Sequence, residues 1–270
     1  MVYGETVARR RLRPWMLELL LLAAVYGVYE LVRALTGSNE TGALENARNL
    51  MSLQHTLHLT PEHWLNHQFT VHSFLAVPAC YLYAVCHYTV TPAVMFWMWH
   101  AHHRHYRSAR SIIVTATLLG LIGFWLAPMA PPRSVGMFTD TMAQWSNIGW
   151  WGDAGSVPSG MQGLTDQFAA MPSLHVGWAV WCGWALFRYA DHRWLKVLGV
   201  AYPIATVLVV IGTANHYFLD AVAGTFVIAF SGALVALFNR IWANRMACRM
   251  ITHAQESSTV DRSNRALSDH

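Results

Sequence analysis

The chain has 270 residues, of which 54% are hydrophobic and 12% are charged, whereas soluble domains carry about 25% charged residues. This composition excludes an ordinary water-soluble domain and favours an all-α bundle of membrane helices. The formal net charge of +4 lies in short basic segments beside apolar runs, which favours a role in membrane orientation over nucleic-acid binding.

The first apolar run follows a basic start. Residues 9–13 are rich in arginine, and residues 15–35 are almost entirely apolar. About 20 residues of helix cross the hydrocarbon core, so this run predicts the first membrane span. Residues 1–14 are then a cytoplasmic basic N-terminus. Residues 39–67 mix polar and apolar side chains, which predicts helices that lie at the membrane interface.

The second long apolar stretch, residues 69–101, contains Pro78 and Pro92 and precedes the basic segment 102–110. We expect one long kinked helix, because proline is accommodated in membrane helices when neighbouring groups satisfy the backbone. Residues 112–128 predict the third span, which carries the chain outward again.

A long loop follows the third span. Residues 133–172 contain one arginine and no lysine, which predicts the non-cytoplasmic side. A loop of this length is usually functional, and we take residues 129–173 as the active-site loop. Trp145, Trp150 and Trp151 are expected at the headgroup level.

Three further spans are predicted at residues 174–187, 195–212 and 217–238, joined by basic segments on the cytoplasmic side. The prediction is a six-helix membrane domain, residues 15–240, with both termini in the cytoplasm. The polar tail, residues 241–270, is predicted to be cytoplasmic and disordered.

The first chemical motif, Met-Pro-Ser-Leu-His at residues 171–175, lies where the loop enters a helix. Free backbone N–H groups and the positive end of the helix dipole suit a phosphate there. Ser173 can add a hydroxyl donor. His175 then stands beside the predicted anion site.

The second motif, Asn-His-Tyr-Phe-Leu-Asp at residues 215–220, lies at the outer start of the last span. His216 and Asp220 are four residues apart, hence on one helical face. A carboxylate there can accept the proton of one ring nitrogen and leave the other nitrogen basic. A single histidine at a helix end is more often an interfacial residue, but the topology brings His175 and His216 to one face, where two histidines can divide the work of phosphoryl transfer.

Other histidines are weaker candidates. Four lie close together among arginines, and their neighbours disfavour the metal site that their spacing would allow: His100, His102, His103 and His105. Four more have partly helical spacing, which favours a solvated helix face over metal or substrate contact: His55, His58, His63 and His67. No metal and no cofactor is predicted.

The Pro-Ser-Leu-His motif at 172–175 and the His-Tyr-Phe-Leu-Asp motif at 216–220 resemble the type 2 phosphatidic acid phosphatase superfamily. The closer resemblance is to the branch with inositol phosphorylceramide synthase and related bacterial membrane proteins. It covers roughly residues 69–239, including the Ala-Pro-Pro-Arg segment at 130–133.

This resemblance implies a six-helix bundle with its site at one membrane face. It implies that His216 attacks phosphorus, that Asp220 supports it, and that His175 protonates the leaving oxygen. The family's lysine-and-arginine motif is absent, and Val210 replaces the arginine that normally lies six residues before the nucleophile. Arg133 is the candidate to supply the missing charge, with headgroup anchoring as its alternative role.

The predicted function is a membrane lipid phosphatase or phosphotransferase, acting through a phosphohistidine on a lipid phosphate or phosphodiester at the extracytoplasmic face of a bacterial plasma membrane. Arg133, Ser173 and Asn215 are the predicted phosphate-binding residues. Water or an alcohol can be the acceptor. The alternative is a non-catalytic lipid-binding or transport protein on the same fold.

Overall fold

The structure is a computed structural model that describes residues 14–36, 40–151 and 168–268. The regular elements of these residues are helices. The described residues contain one isolated parallel β-bridge, between Met129 and Ala169. The α-helices of the described residues are α1 (Pro14–Thr36), α2 (Glu40–Thr56), α3 (Glu62–Val71), α4 (Ser73–Ala101), α5 (His103–Leu126), α6 (Thr141–Gln144), α7 (Leu174–Tyr189), α8 (Arg193–Gly212) and α9 (Phe218–Ser268).

Within the described residues, five helices are long and apolar enough to cross a membrane, where the sequence predicts six spans. They are α1, α4, α5, α8 and the first part of α9, Phe218–Ala247. The predicted fourth span corresponds to α7, which has 16 residues, fewer than the roughly 20 that a span requires. The helical membrane architecture is confirmed. That α7 is a further span, which would make six, stays a prediction.

Two predicted boundaries differ from the structure. The basic segment 102–110 is not a connection, because α5 begins at His103 directly after α4. The tail predicted to be disordered is helical as far as Ser268. Neither stretch contains glycine or proline, the residues that most disfavour a helix, so the helix continues beyond the apolar run. Helix α4 is a single helix with Pro78 and Pro92 inside it, as predicted.

Helix α7 lies at the centre of the bundle, in contact with α4, α5, α8 and α9. Glycines allow two of these close approaches: a Cβ atom on Gly183 would lie 2.2 Å from the carbonyl oxygen of Gly199 in α8, and one on Gly177 would lie 3.2 Å from that of Gly224 in α9. Small residues let membrane helices pack backbone to backbone. The position of α7 is therefore set by its neighbours on several sides.

Helices α5 and α9 run antiparallel. Ahead of α9, the Tyr217 hydroxyl donates to the carbonyl oxygen of Ala130, just after α5, at 3.1 Å. Far along α9, Asn239 donates to Ser108, near the start of α5, at 3.1 Å. The segments after α5, before α7 and before α9 therefore meet at one end of the bundle.

Trp151, one of the three loop tryptophans, packs inside the protein, and the headgroup depth expected for these residues stays a prediction. Its side chain is completely buried, and its indole N–H donates to the carbonyl oxygen of Met142 at 3.0 Å. It packs with Cys80 and Ala84 of α4, because the loop folds back onto that helix. Trp150 is exposed. Residues 152–167 of the predicted active-site loop lie outside the described residues.

Candidate active site

A tight turn between α8 and α9 presents His216. The N–H groups of Asn215 and His216 both donate to the carbonyl oxygen of Val210, each at 3.0 Å. Ala214 has a φ of 57°, in the left-handed region, which costs roughly 1–2 kcal/mol for a residue with a Cβ atom. The Ala214 carbonyl accepts the N–H of Arg133 at 3.1 Å. The turn is thereby fixed to the segment that follows α5.

The imidazole of His216 is oriented through Nδ1. This nitrogen lies 2.8 Å from the carbonyl oxygen of Ala170 and 3.5 Å from Oδ2 of Asp220. Because a carbonyl oxygen can only accept, Nδ1 carries the hydrogen, and Nε2 of the neutral ring holds the lone pair. The predicted His216–Asp220 pair is present, but the nearer acceptor is the Ala170 carbonyl. The Ala170 N–H in turn donates to Met129 at 3.2 Å.

Asp220 connects the start of α9 to the start of α7. It is completely buried, and Oδ2 accepts the N–H of Tyr217 at 2.9 Å. Its backbone carbonyl accepts the N–H of Ser173 at 3.0 Å. Within the described residues its Oδ1 has no hydrogen-bond partner. The carboxylate therefore serves both the turn and the His216 ring.

Two residues that the sequence did not single out cap the beginning of α9. Oε1 of Glu62 accepts the N–H of Phe218 and a side-chain N–H of Gln54, each at 2.7 Å. Oε1 of Gln54 accepts the N–H of Leu219 at 2.9 Å. These N–H groups have no partner inside the helix. Protein side chains thus occupy them, and they are not available to an anion.

His175 lies in the first turn of α7, beside His216. Their ring centroids are 5.6 Å apart, with an interplanar angle of 59°. Ser173 is buried, and its hydroxyl oxygen caps α7 by accepting the N–H of Val176 at 3.4 Å. The two histidines are therefore neighbours in space, although 41 residues separate them in the sequence.

The other side of His175 is covered by α4. The ring of Tyr83 stacks on His175 with centroids 4.7 Å apart, and His87 meets it edge to face at 4.3 Å. Sequence analysis missed both residues, because they lie inside an apolar span without a motif. The available signal was an ionisable His87 in the middle of a membrane helix.

Arg133 and Asn215, two predicted phosphate ligands, lie next to His216 but contact each other. The Arg133 guanidinium donates to Oδ1 of Asn215, and its Nε lies 3.5 Å from Oδ2 of Asp140. Asn215 donates to the hydroxyl of Thr213 at 2.8 Å. A cation is therefore present, partly balanced by one carboxylate.

The weaker histidine candidates lie elsewhere. His102 and His105 contact the ring of Tyr189, at the opposite end of α7 from His175. His63 stacks on Phe138 with ring centroids 4.5 Å apart. Across residues 14–36, 40–151 and 168–268, no three His, Cys, Asp or Glu side chains group as metal ligands.

The sequence model of the PAP2 superfamily matches residues 48–234, well over half of the chain. The match covers every residue of the site described above. No curated protein and no solved structure matches the chain. Together with the apolar helices, the match indicates an integral membrane protein with a lipid-phosphatase-like function. The chain belongs to the PAP2 superfamily.

Proposed function

We propose that this protein is a membrane lipid phosphatase or phosphotransferase that forms a phosphohistidine on His216. One observation carries the proposal: Nδ1 of His216 is held by the Ala170 carbonyl at 2.8 Å while the His175 ring lies beside it. A nucleophilic imidazole needs one nitrogen fixed and the other free. A second imidazole at this distance can exchange a proton with the leaving group.

The reaction takes two half-reactions. Nε2 of His216 forms a bond to phosphorus while the bond from phosphorus to the leaving oxygen breaks, and His175 gives that oxygen a proton. Water or an acceptor alcohol then attacks the phosphohistidine. His175 takes its proton, and His216 is released with the lone pair back on Nε2. The buried carboxylate of Asp220, 3.5 Å from Nδ1, offsets positive charge on the His216 ring.

Phosphoryl transfer depends on stabilisation of the equatorial oxygens. We assign this role to Arg133, whose guanidinium donates to Asn215, the residue before the nucleophile. The first turn of α7 adds backbone N–H groups without partners inside the helix. Ser173 can still donate its hydroxyl hydrogen while its oxygen caps the helix. We assign these groups to the phosphate oxygens beside the two histidines.

Hydrolysis and transfer share the first half-reaction. The resemblance to the inositol phosphorylceramide synthase branch favours transfer to an alcohol, and the breadth of the superfamily favours hydrolysis. Mass spectrometry of the products from a panel of lipid phosphates and phosphodiesters, with and without inositol, separates the two. A phosphorylated inositol product supports transfer, and inorganic phosphate alone supports a phosphatase.

The site is proposed to face away from the cytoplasm of a bacterial plasma membrane, because the basic segments lie at the opposite end of the predicted spans. Met137→Cys and Asp191→Cys place exposed thiols at the two ends. In intact cells an impermeant maleimide should label only the thiol at position 137. Labelling of position 191 instead would reverse the orientation.

One observation favours the non-catalytic alternative. The Arg133 guanidinium already has Asp140 and Asn215 as partners, which weakens its attraction for a phosphate. A lipid-binding or transport protein would bind lipid phosphates without releasing phosphate. Release from a purified lipid phosphate that is lost in His216→Ala excludes this alternative.

Rapid quench with radiolabelled substrate tests the assignment of roles. His216→Ala should form no phosphoenzyme with any substrate, whereas His192→Ala, which changes a histidine at the opposite end of the bundle, should match the wild type. General acid catalysis contributes about 10²- to 10⁴-fold, and mostly for poor leaving groups. His175→Ala should therefore keep the burst with a phenolic ester but turn over slowly. A burst that survives in His216→Ala and vanishes in His175→Ala would reverse the roles.

A further inference from the structure

His87 contacts the proposed general acid but has no part in the reaction described so far. It lies in α4, is nearly buried, and meets the His175 ring edge to face at 4.3 Å. Its Nδ1 lies 3.0 Å from the carbonyl oxygen of Tyr83. Since that oxygen can only accept, Nδ1 carries the hydrogen, and Nε2 of neutral His87 is left as an acceptor.

One ring nitrogen of His175 lacks a partner. Nε2 of His175 is buried and has no hydrogen-bond partner within the described residues. Nearly all buried polar atoms in proteins have a partner, either protein or ordered water. An unpartnered buried nitrogen therefore belongs to a ring that touches His87, whose Nε2 can accept a hydrogen bond when the ring is neutral.

A small cavity joins the two rings. Its volume is about 20 Å³, and His87 and His175 both line it, together with Tyr83 and with Tyr202 and Thr206 of α8. A water molecule needs roughly 10–15 Å³ and two to four polar partners. The cavity has the room and the polar lining for one water.

We propose that His87 is a positioning residue for His175 and acts through one water in this cavity. The inference rests on the proposed function of His175. The water accepts the hydrogen of Nε2 on His175 and donates to Nε2 of His87. Nδ1 of His175 is then the nitrogen that faces the leaving oxygen.

This arrangement balances through both half-reactions. His175 begins the first half-reaction as the imidazolium, with a hydrogen on each nitrogen. It gives its Nδ1 hydrogen to the leaving oxygen and becomes the neutral ring with its hydrogen on Nε2, and it later takes a proton on Nδ1 from water or the acceptor alcohol. No net proton reaches His87. A neutral imidazole holds the ring without placing negative charge beside the phosphate, as a carboxylate would. The other titratable groups that face the pair are Tyr83, Cys86 and Tyr88 of α4, Tyr202 of α8, and His216.

The first test uses His87→Phe, which keeps a ring but removes both nitrogens, in the full-length protein. With phosphatidic acid in mixed micelles we expect turnover to fall by about 10- to 100-fold, part of the roughly 10²- to 10⁴-fold effect of general acid catalysis. The pH profile should lose the limb that reports His175, and the burst with a phenolic phosphate ester should remain. His87→Gln, which offers the water a polar partner again, should recover part of the turnover.

His103→Phe is the matched control. The Nδ1 of His103 also lies near the carbonyl four residues earlier, that of Trp99, at 3.3 Å, but the side chain is exposed at the start of α5. This variant should behave as the wild type. Unchanged turnover and an unchanged pH profile in His87→Phe would overturn the inference.

A double-mutant comparison separates positioning from a role in folding. If His87 acts through His175, adding His87→Phe to His175→Ala should cause no further loss of turnover. A full additional loss would show that His87 supports the fold, and the inference would be wrong.

A spectroscopic test does not depend on turnover. Nitrogen NMR of histidine-labelled protein should show neutral His175 with its hydrogen on Nε2, and this signal should shift in His87→Phe. A neutral His175 with its hydrogen on Nδ1 and none on Nε2 would overturn the inference even in an active enzyme. A wild type that forms no phosphoenzyme with any substrate would instead count against the proposed function alone.

Discussion

The crossing of α7 and α9 is the contact that holds the two site histidines together, and Gly224 makes it possible. A Cβ atom at position 224 would lie 2.2 Å from the carbonyl oxygen of Ser173 and 3.1 Å from its carbonyl carbon. Ordinary van der Waals contact begins at 3.4 Å. The obstructing atoms are backbone, so no side-chain rotation relieves the overlap.

Gly224→Ala should therefore separate the two helices by about 1 Å, since overpacking moves the backbone and typically costs roughly 1–3 kcal/mol. Ser173 caps α7 and directly precedes the turn that carries His175, whereas Asp220 lies in the first turn of α9 and His216 in the loop just before it. A misplacement of about 1 Å between reacting groups can cost roughly 10²-fold in rate. We expect phosphoenzyme formation to slow by about that factor.

Gly232→Ala is the matched control, because nothing lies within 4 Å of a Cβ atom at that position in the same helix. Replacing a helical glycine by alanine there should be neutral or stabilising by up to about 1 kcal/mol. Rapid quench gives the rate, and thermal unfolding in detergent gives the stability of both variants. Equal rates in Gly224→Ala and Gly232→Ala would refute the idea that this crossing sets the distance between the histidines.

Three other outcomes are expected. Glu62→Leu removes the buried acceptor for the Phe218 N–H and should lower the stability measured by thermal unfolding by about 1–3 kcal/mol. Glu45→Leu, at an exposed position of α2, should leave the stability unchanged. Equal melting temperatures of the two variants would contradict the capping role of Glu62. Asp140→Asn keeps an oxygen that accepts the Ala143 N–H but removes the charge that pairs with Arg133. Competitive inhibition by inorganic phosphate should then strengthen about two- to fivefold, as the loss of a partly exposed ion pair allows. Weaker inhibition would show that Arg133 does not belong to the phosphate site. Chelators should leave turnover intact, because a histidine nucleophile needs no Lewis acid; full loss with recovery on adding one divalent ion would favour a metal mechanism.

Local sequence patterns predicted the features that depend on short stretches of chain. Hydropathy over about 20 residues indicated helices in a membrane, and α4 is a single helix despite Pro78 and Pro92. The four-residue spacing predicted that His216 and Asp220 are neighbours, and their side chains lie 3.5 Å apart, although His216 lies in the turn before α9 and not on a helical face. The motifs at 171–175 and 215–220 lie beside the starts of α7 and α9, as predicted.

Contacts between distant segments decided the rest. Glu62 caps a helix that begins 156 residues later, and the Ala170 carbonyl, not a side chain, is the nearer partner of His216. No pattern along the chain records such pairings, because they depend on how whole helices pack. Packing also buried Trp151 and placed His87 against His175. Hydropathy indicates that a residue leaves water, but the neighbour it meets is determined by the tertiary structure.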